Sequence, residues 1–322
     1  MTRVRILLIG ILLAAITVYG GYYFFERTGE AEVKIGYLRG DLHQLALFVA
    51  LEKGMFEEAG IKVSTVVYSN GVEMMDGFAA GEVDYGYLGI APVILKSVNA
   101  GVDVKVLAAV NLEGSALIGR QDIPDLSMLE GSTIAIPGFG TVQDVLLSLI
   151  LDNAGINRRD VSIVRLHPWD MIAALESGSI DAFIAWEPYP TKALRSGVGK
   201  PLAYSGDVWP SHPCCVVACT SSFYNKKRDL IKQLLEVHLK ATEWIRENPR
   251  LAAEIGAKYT GMSVDDVMEA MNHIKFVVHP NVDEMVVYVE QLKRLGYIEG
   301  EASEILNSLL DLSVLEEVES ES

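Results

Sequence analysis

Two short stretches of this chain are built alike, and that repetition narrows its possible folds more than any other feature. Residues 79–84 read Ala-Ala-Gly-Glu-Val-Asp, and residues 176–181 read Glu-Ser-Gly-Ser-Ile-Asp. Each stretch follows a helical pattern, ends it with glycine, and starts a strand with an aliphatic residue and aspartate. A proline then falls near the far end of each strand, at Pro92 and Pro188. Helix–glycine–strand is common in α/β proteins, but here each copy occupies the same place in its own unit. Two α/β units facing one another are therefore expected.

The flanking pattern agrees. Strands are expected at 33–38, 62–68, 83–88, 104–110, 133–136, 162–166, 180–185 and from 214 onward. Helices are expected at 44–53, 55–59, 72–80, 92–98, 142–154, 170–176 and 229–248, with Gly54, Gly60, Gly81 and Gly155 as stops. Such alternation argues for an α/β fold with mixed, mostly parallel sheets. Helical hairpins are expected over 250–259, 263–274, 282–295 and 302–312, and the acidic end at 315–322 reads as a frayed tail.

The N-terminus carries a different signal. Arg3 and Arg5 precede Ile6 to Phe25, twenty residues without a charge. At about 1.5 Å per residue this spans about 30 Å, the thickness of a bilayer core. Arginines before the run and a large body after it favour an N-inside anchor with the body outside the cell membrane. Tyr19, Tyr22, Tyr23, Phe24 and Phe25 crowd the far end like an interfacial aromatic belt. A cleaved signal peptide has a shorter apolar stretch and a small-residue cleavage site. Residues 1–27 are thus expected to be a single-pass anchor, with the cleaved signal as the alternative, and 28–32 a polar linker.

The formal charge of −16, from 27 basic and 43 acidic residues, excludes the cationic footprint that a nucleic-acid partner requires. The three cysteines, Cys214, Cys215 and Cys219, fall in one short stretch. If that stretch is a strand, Cys215 and Cys219 lie about 13 Å apart, beyond disulfide reach. Free, buried thiols are expected.

In open α/β sheets, ligands bind beyond the carboxyl ends of the strands, where helix N-termini present free N–H groups. The loops at those ends carry the informative polar residues. Pro137 to Asp144 is the sharpest: Gly138 and Gly140 let the backbone approach a ligand, and Thr141 caps the next helix. Asn70 and Gly71, then Ala91 and Pro92, and Asn111 occupy equivalent loops. His43 and Gln44 open a helix, and Trp186 with Glu187 offers an aromatic wall beside a carboxylate. His212, Cys214 and Cys215 have donors suited to a soft metal, but no zinc spacing accompanies them. Neither G-x-S-x-G nor H-E-x-x-H occurs, so nothing here proposes catalysis.

From residue 33 to about 297 the chain resembles the sulfonate/nitrate/taurine and thiamine-precursor-binding group of periplasmic binding proteins. The resemblance rests on Ala50-Leu-Glu-Lys-Gly-Met-Phe-Glu-Glu-Ala-Gly60, Ala80-Gly-Glu-Val-Asp-Tyr-Gly86, Pro137-Gly-Phe-Gly-Thr-Val-Gln143 and Asp181-Ala-Phe-Ile-Ala-Trp-Glu-Pro188. It implies the type II periplasmic-binding-protein fold, with lobe 1 at 33–110 plus 214–313, lobe 2 at 111–213, and an acidic tail at 314–322. Crossings between the lobes are expected near 111–117 and 211–216. It further implies a solute receptor, most simply a monomer, that works with the permease and ATPase subunits of an ABC importer and needs no cofactor or metal. The pocket would be lined from His43, Gln44, Asn70, Gly71, Ala91, Pro92, Asn111, Gly138, Gly140, Thr141, Trp186, Glu187 and His212.

Arg39, His43 and His212 favour a sulfonate-, taurine- or nitrate-like anion narrowly over a pyrimidine or another amine. More distantly the chain resembles iron-dependent pyrimidine synthases of the same fold. It has only part of their cysteine cluster, and no histidine between Tyr85 and Gly101, where their sacrificial one falls. A sensory ligand-binding domain is a third reading.

Overall fold

A computed structural model describes residues 32–321. The segment expected to be a membrane anchor lies outside the described residues, and within them no helix is long and apolar enough to cross a membrane.

Eleven strands are described: β1 Glu32–Leu38, β2 Lys62–Tyr68, β3 Tyr85–Gly89, β4 Val104–Glu113, β5 Ser115–Arg120, β6 Thr133–Ile136, β7 Ser162–Arg165, β8 Ala182–Trp186, β9 Gly199–Tyr204, β10 Pro213–Thr220 and β11 Ile274–Phe276. They form two sheets, in the order β11-β4-β10-β3-β1-β2 and β7-β6-β8-β5-β9. The two stretches that read alike now have a structural meaning: they lead into β3 and β8. Each of these strands pairs parallel with the strand that opens its unit, β1 or β6.

The sheets are mixed, but the expectation of mostly parallel pairing is corrected. Four pairings are parallel, β1 with β2 and β3, and β6 with β7 and β8. Five are antiparallel, β10 with β3 and β4, β11 with β4, and β5 with β8 and β9. The parallel trios come from strand–helix–strand units, which must cross over in one sense. β10 and β5, by which the chain enters each sheet from the other, run back against β3 and β8.

Local chemistry sets the helices that flank the cleft. Asn70 caps Gly71–Ala80 by accepting from the amides of Val72 and Glu73, and Gly81 closes it in the left-handed conformation at φ 70°. Thr141 caps Val142–Asn153 by accepting from the Asp144 amide, the interaction expected of a threonine there. The long helix Arg228–Glu247 buries Leu230, Ile231, Leu234, Leu235, Val237, His238, Ala241, Thr242 and Ile245. That three-and-four spacing makes one apolar stripe, each large aliphatic residue contributing about 1.5–3 kcal/mol on burial.

Several features differ from the sequence reading, among them β5 at Ser115–Arg120, a stretch to which the sequence pattern assigns no element. Residues 274–276 form the edge strand β11 instead of ending a helix, because Ile274–Phe276 pairs with Asn111–Glu113 of β4. The segment 186–210, read as loop, contains the helices Tyr189–Arg195 and Ser205–Val208 and the strand β9. The acidic end is not frayed: Ser313–Glu321 is a helix with Val314, Leu315 and Val318 buried. Lys232 meets both Glu317 and Glu321 across that contact, so the acidic face is paired with the helix that the apolar face covers.

Candidate functional site

Between the two sheets lies a small cavity of about 20 Å³. Its wall is made from the strand ends and helix starts anticipated above. Leu38 ends β1, Gly89 ends β3, Trp186 ends β8, and Gly71 and Val142 begin helices. Of the residues that the sequence singled out for the pocket, His43, Gly71, Pro92, Thr141 and Trp186 line it. Asp41, Gln143, Cys214 and Cys215 line it as well; the sequence offered the two cysteines only as donors to a soft metal.

The glycines there are spaces as much as turns. A Cβ on Gly71 would lie 2.7 Å from Pro92 Cγ, and one on Gly89 would lie 2.9 Å from Val142 Cγ2. Gly140 has φ of 77°, and a Cβ there would lie 2.2 Å from Leu95 across the cleft. At Gly89 and Gly140 the two units meet too closely for a side chain, and at Gly71 two helices of the first sheet do.

Trp186 is the most informative wall residue. Its ring is 2% exposed and packs edge-on to Tyr189 at 6.3 Å. Its indole N–H has no hydrogen-bond partner among the described residues. A buried donor without a partner carries a penalty of about 1–3 kcal/mol, and a ligand acceptor in the cavity relieves it. Gln143 donates from Nε2 to Ser115 Oγ at 3.0 Å, which leaves its carbonyl oxygen as an acceptor beside the space.

Other expected residues support the wall from behind. Gln44 accepts from the Leu38 amide at 2.8 Å and donates to Asp41 Oδ2 and to the Tyr87 carbonyl, tying β1 to β3. Asn111 accepts from the Cys215 amide at 3.2 Å and donates to the Glu113 carbonyl at 3.0 Å. Asn70 is committed to its cap. Glu187 accepts from the Thr191 amide through Oε2 and holds His273 Nδ1 at 2.7 Å through Oε1. His212 is buried between Trp209 and Tyr288 and bonds Tyr288 through Nδ1. Arg39 stacks on the Trp169 ring at 5.0 Å. Gln44, Asn70, Ala91, Asn111, Gly138, Gly140, Glu187 and His212 are not among the residues that line this cavity, nor does any lysine or arginine line it.

His43 sits at the floor, fully buried. Its Nε2 is 2.8 Å from the Gly114 carbonyl, and its Nδ1 faces Cys214 Sγ at 3.4 Å and Cys215 Sγ at 3.7 Å. Burial alone would lower its pKa; the Cys214 thiolate and the Asp41 carboxylate outweigh that and raise it to about 9. Burial lifts the Asp41 carboxyl to about 7. For Cys214, burial opposes ionisation, but the hydrogen bond from Cys215 and the His43 charge hold it well below an ordinary thiol. All three cysteines are free and buried, as expected.

Contacts between the two units keep the cavity small. The Leu42 amide donates to the Glu187 carbonyl at 3.0 Å, Tyr189 Oη to the Arg39 carbonyl at 3.1 Å, and Trp209 Nε1 to Glu284 at 2.6 Å. Asp144, fully buried, accepts from the Gly140 amide at 2.8 Å and from Tyr297 Oη at 2.5 Å, and pairs with Arg158. This carboxylate fixes the glycine loop from both sides, a role that its place at the end of Pro137 to Asp144 only hinted at.

The sequence profile of the NMT1-like family matches residues 26–258. A binding protein of Brucella abortus is 28% identical over 70% of this chain and 71% of its own length. A protein of Bacillus subtilis named for binding aliphatic sulfonates is 31% identical over 65% of this chain and 64% of its own. Among solved structures, the periplasmic nitrate-binding protein of Synechocystis PCC 6803 superposes with a TM-score of 0.83 at 17% identity, covering 91% of this chain and 89% of that one.

Proposed function

We propose, from the premise that the chain belongs to the NMT1-like family, that it is the solute-binding receptor of an ABC importer. It captures a small polar ligand in the cavity between its two sheets and hands it to a permease driven by an ATPase. The observation that carries this reading is the partnerless indole N–H of Trp186 at a cavity walled by helix N-termini. That is the provision a site makes for an acceptor-bearing ligand.

The lobes run over 33–110 plus 214–313 and over 111–213. The chain crosses between the sheets at Gly114, where β4 passes into β5, and again where the Ser205–Val208 helix leads to β10. The body lies outside the cell, anchored by residues 1–27. The cavity, about 20 Å³ as the sheets stand, holds about one water, so the two lobes part to admit a small solute and close on it. An anion of the sulfonate, taurine or nitrate kind remains narrowly favoured, held by the Trp186 indole, the amides that open Val142–Asn153 and the His43 imidazolium. Arg39 and His212, two of the cations that suggested it, take no part in this holding.

Catalysis is not part of this reading. A thermal-shift and calorimetric screen of the purified chain against taurine, alkanesulfonates, nitrate and pyrimidines tests it. Binding at micromolar affinity without turnover supports a receptor, and product formation contradicts one.

A further inference from the structure

Consecutive residues of a regular strand point to opposite faces, yet Cys214 and Cys215 both turn their sulfurs to His43. A bulge brings this about. Pro213 pairs with Leu112 and Cys215 with Asn111, so Cys214 has no partner of its own on β4. Bulges of this kind re-aim side chains and recur beside functional sites. The Asn111 side chain holds this one in place through the Cys215 amide.

The three donor atoms form a triangle. Cys214 Sγ and Cys215 Sγ are 3.9 Å apart, and His43 Nδ1 lies 3.4 and 3.7 Å from them. An ion bound tetrahedrally at about 2.3 Å from sulfur and about 2.05 Å from nitrogen would space the sulfurs about 3.8 Å and each sulfur from nitrogen about 3.6 Å. The observed edges match both. On the far side of the imidazole, Nε2 meets the Gly114 carbonyl at 2.8 Å. A carbonyl only accepts, so Nε2 carries hydrogen, and the proton on Nδ1, which lies against Cys214 Sγ, is the one an ion would displace to reach that lone pair. Metal-binding histidines are oriented this way by a carbonyl or carboxylate behind them.

We propose that His43 Nδ1, Cys214 Sγ and Cys215 Sγ bind one thiophilic metal ion, zinc first among them, with the remaining position open to the cavity. Two thiolates balance the charge of a divalent ion, and the neighbouring Asp41 carboxylate adds to the attraction for a cation. All four residues line the cavity, which has no lysine or arginine in its wall. The open coordination position would give an anionic solute a direct bond to the ion. That last link rests on the receptor reading; the donor triangle does not.

The test uses the full chain, purified with its thiols reduced and stripped by a chelator. Zinc is titrated against a competing chromophoric chelator, and cobalt(II) is substituted to read the near-ultraviolet thiolate-to-metal band. One zinc per chain is expected, with a cobalt band. Affinity should fall at least ~100-fold in Cys214→Ser and in Cys215→Ser, since each loses a direct ligand where a supporting contact alone is worth ~10–100-fold. Cys219→Ser, altered at the far end of β10, should bind within about threefold of the parent, because its sulfur is not part of the triangle. Absence of stoichiometric zinc in the parent chain, or affinity unchanged in Cys214→Ser, overturns the proposal. Taurine and methanesulfonate are titrated into the zinc-free and zinc-loaded chain alongside. Solute binding in a chain that does not take zinc removes the metal site and leaves the receptor standing. Zinc binding in a chain that takes no solute does the reverse.

Discussion

Replacing Trp186 with phenylalanine separates the energetics of the empty cavity from those of the filled one. Phenylalanine keeps an aromatic ring at Cβ but removes the N–H and the outer, six-membered part of the indole, which trims the edge contact with Tyr189. In the free protein that N–H is buried without a partner, so its removal relieves about 1–3 kcal/mol. Lost packing of the deleted atoms takes back a similar amount, and unfolding free energy in urea should change by less than about 1 kcal/mol. With ligand bound the balance differs. A hydrogen bond to a charged acceptor is worth about 1.5–3 kcal/mol, so the dissociation constant should rise about 10–150-fold. Isothermal calorimetry on the tightest ligand of the sulfonate, taurine and nitrate panel reads this directly. An affinity within about threefold of the parent, with stability intact, would refute the assignment of the indole as a ligand donor.

Other consequences follow from the same geometry. Asp144→Asn leaves Arg158 without its carboxylate and weakens the ties to Gly140 and Tyr297; the loss should be about 3–5 kcal/mol by urea unfolding, as for one partner of a buried pair. Gly114→Ala adds a Cβ at φ 88° and 2.3 Å from His43 Nε2; the left-handed strain and the clash together should destabilise by at least ~2 kcal/mol, read in the same assay. Burial pushes His238 down to about 4, despite its bond to the Ala109 carbonyl. Its unfolded value is near 6.5, so the unfolded chain takes up the proton first as pH falls. The stabilisation is complete above about pH 6.5 and is lost towards pH 4, up to about 3 kcal/mol in all. His238→Gln should flatten that part of the stability–pH curve, and an unchanged slope would contradict the assignment.

Much of the fold is legible in the sequence because local chemistry and tertiary structure agree there. Asn70 and Thr141 are caps, Gly81 is a left-handed stop, and β2 and β6 keep the bounds their patterns give. The edge strand Ile274–Phe276 is hidden because three residues after a helix carry no period of their own; β4 supplies the pairing. The end of the chain read as tail because its glutamates dominate, although Val314, Leu315 and Val318 are placed to pack. At the site, loop positions could be read from strand ends, but side-chain direction could not. Glu187 and Asn111 are polar residues near the right strand ends, Asn111 within β4 itself, that turn to backbone amides and, for Glu187, to the His273 side chain. A strand pattern over the cysteines gives their spacing along the chain, and only the bulge at Cys214 brings two sulfurs to one histidine. A bulge depends on the partner strand, which no local pattern reports.

The account stands or falls on whether a small solute occupies the space between the two sheets. A crystal structure of the chain with its tightest panel ligand tests that most directly. The prediction is one solute per chain, with an acceptor atom within hydrogen-bond distance of Trp186 Nε1 and further contacts from Gln143 and the start of Val142–Asn153. A solute seated elsewhere on the chain, with the Trp186 indole still without a partner, would contradict it.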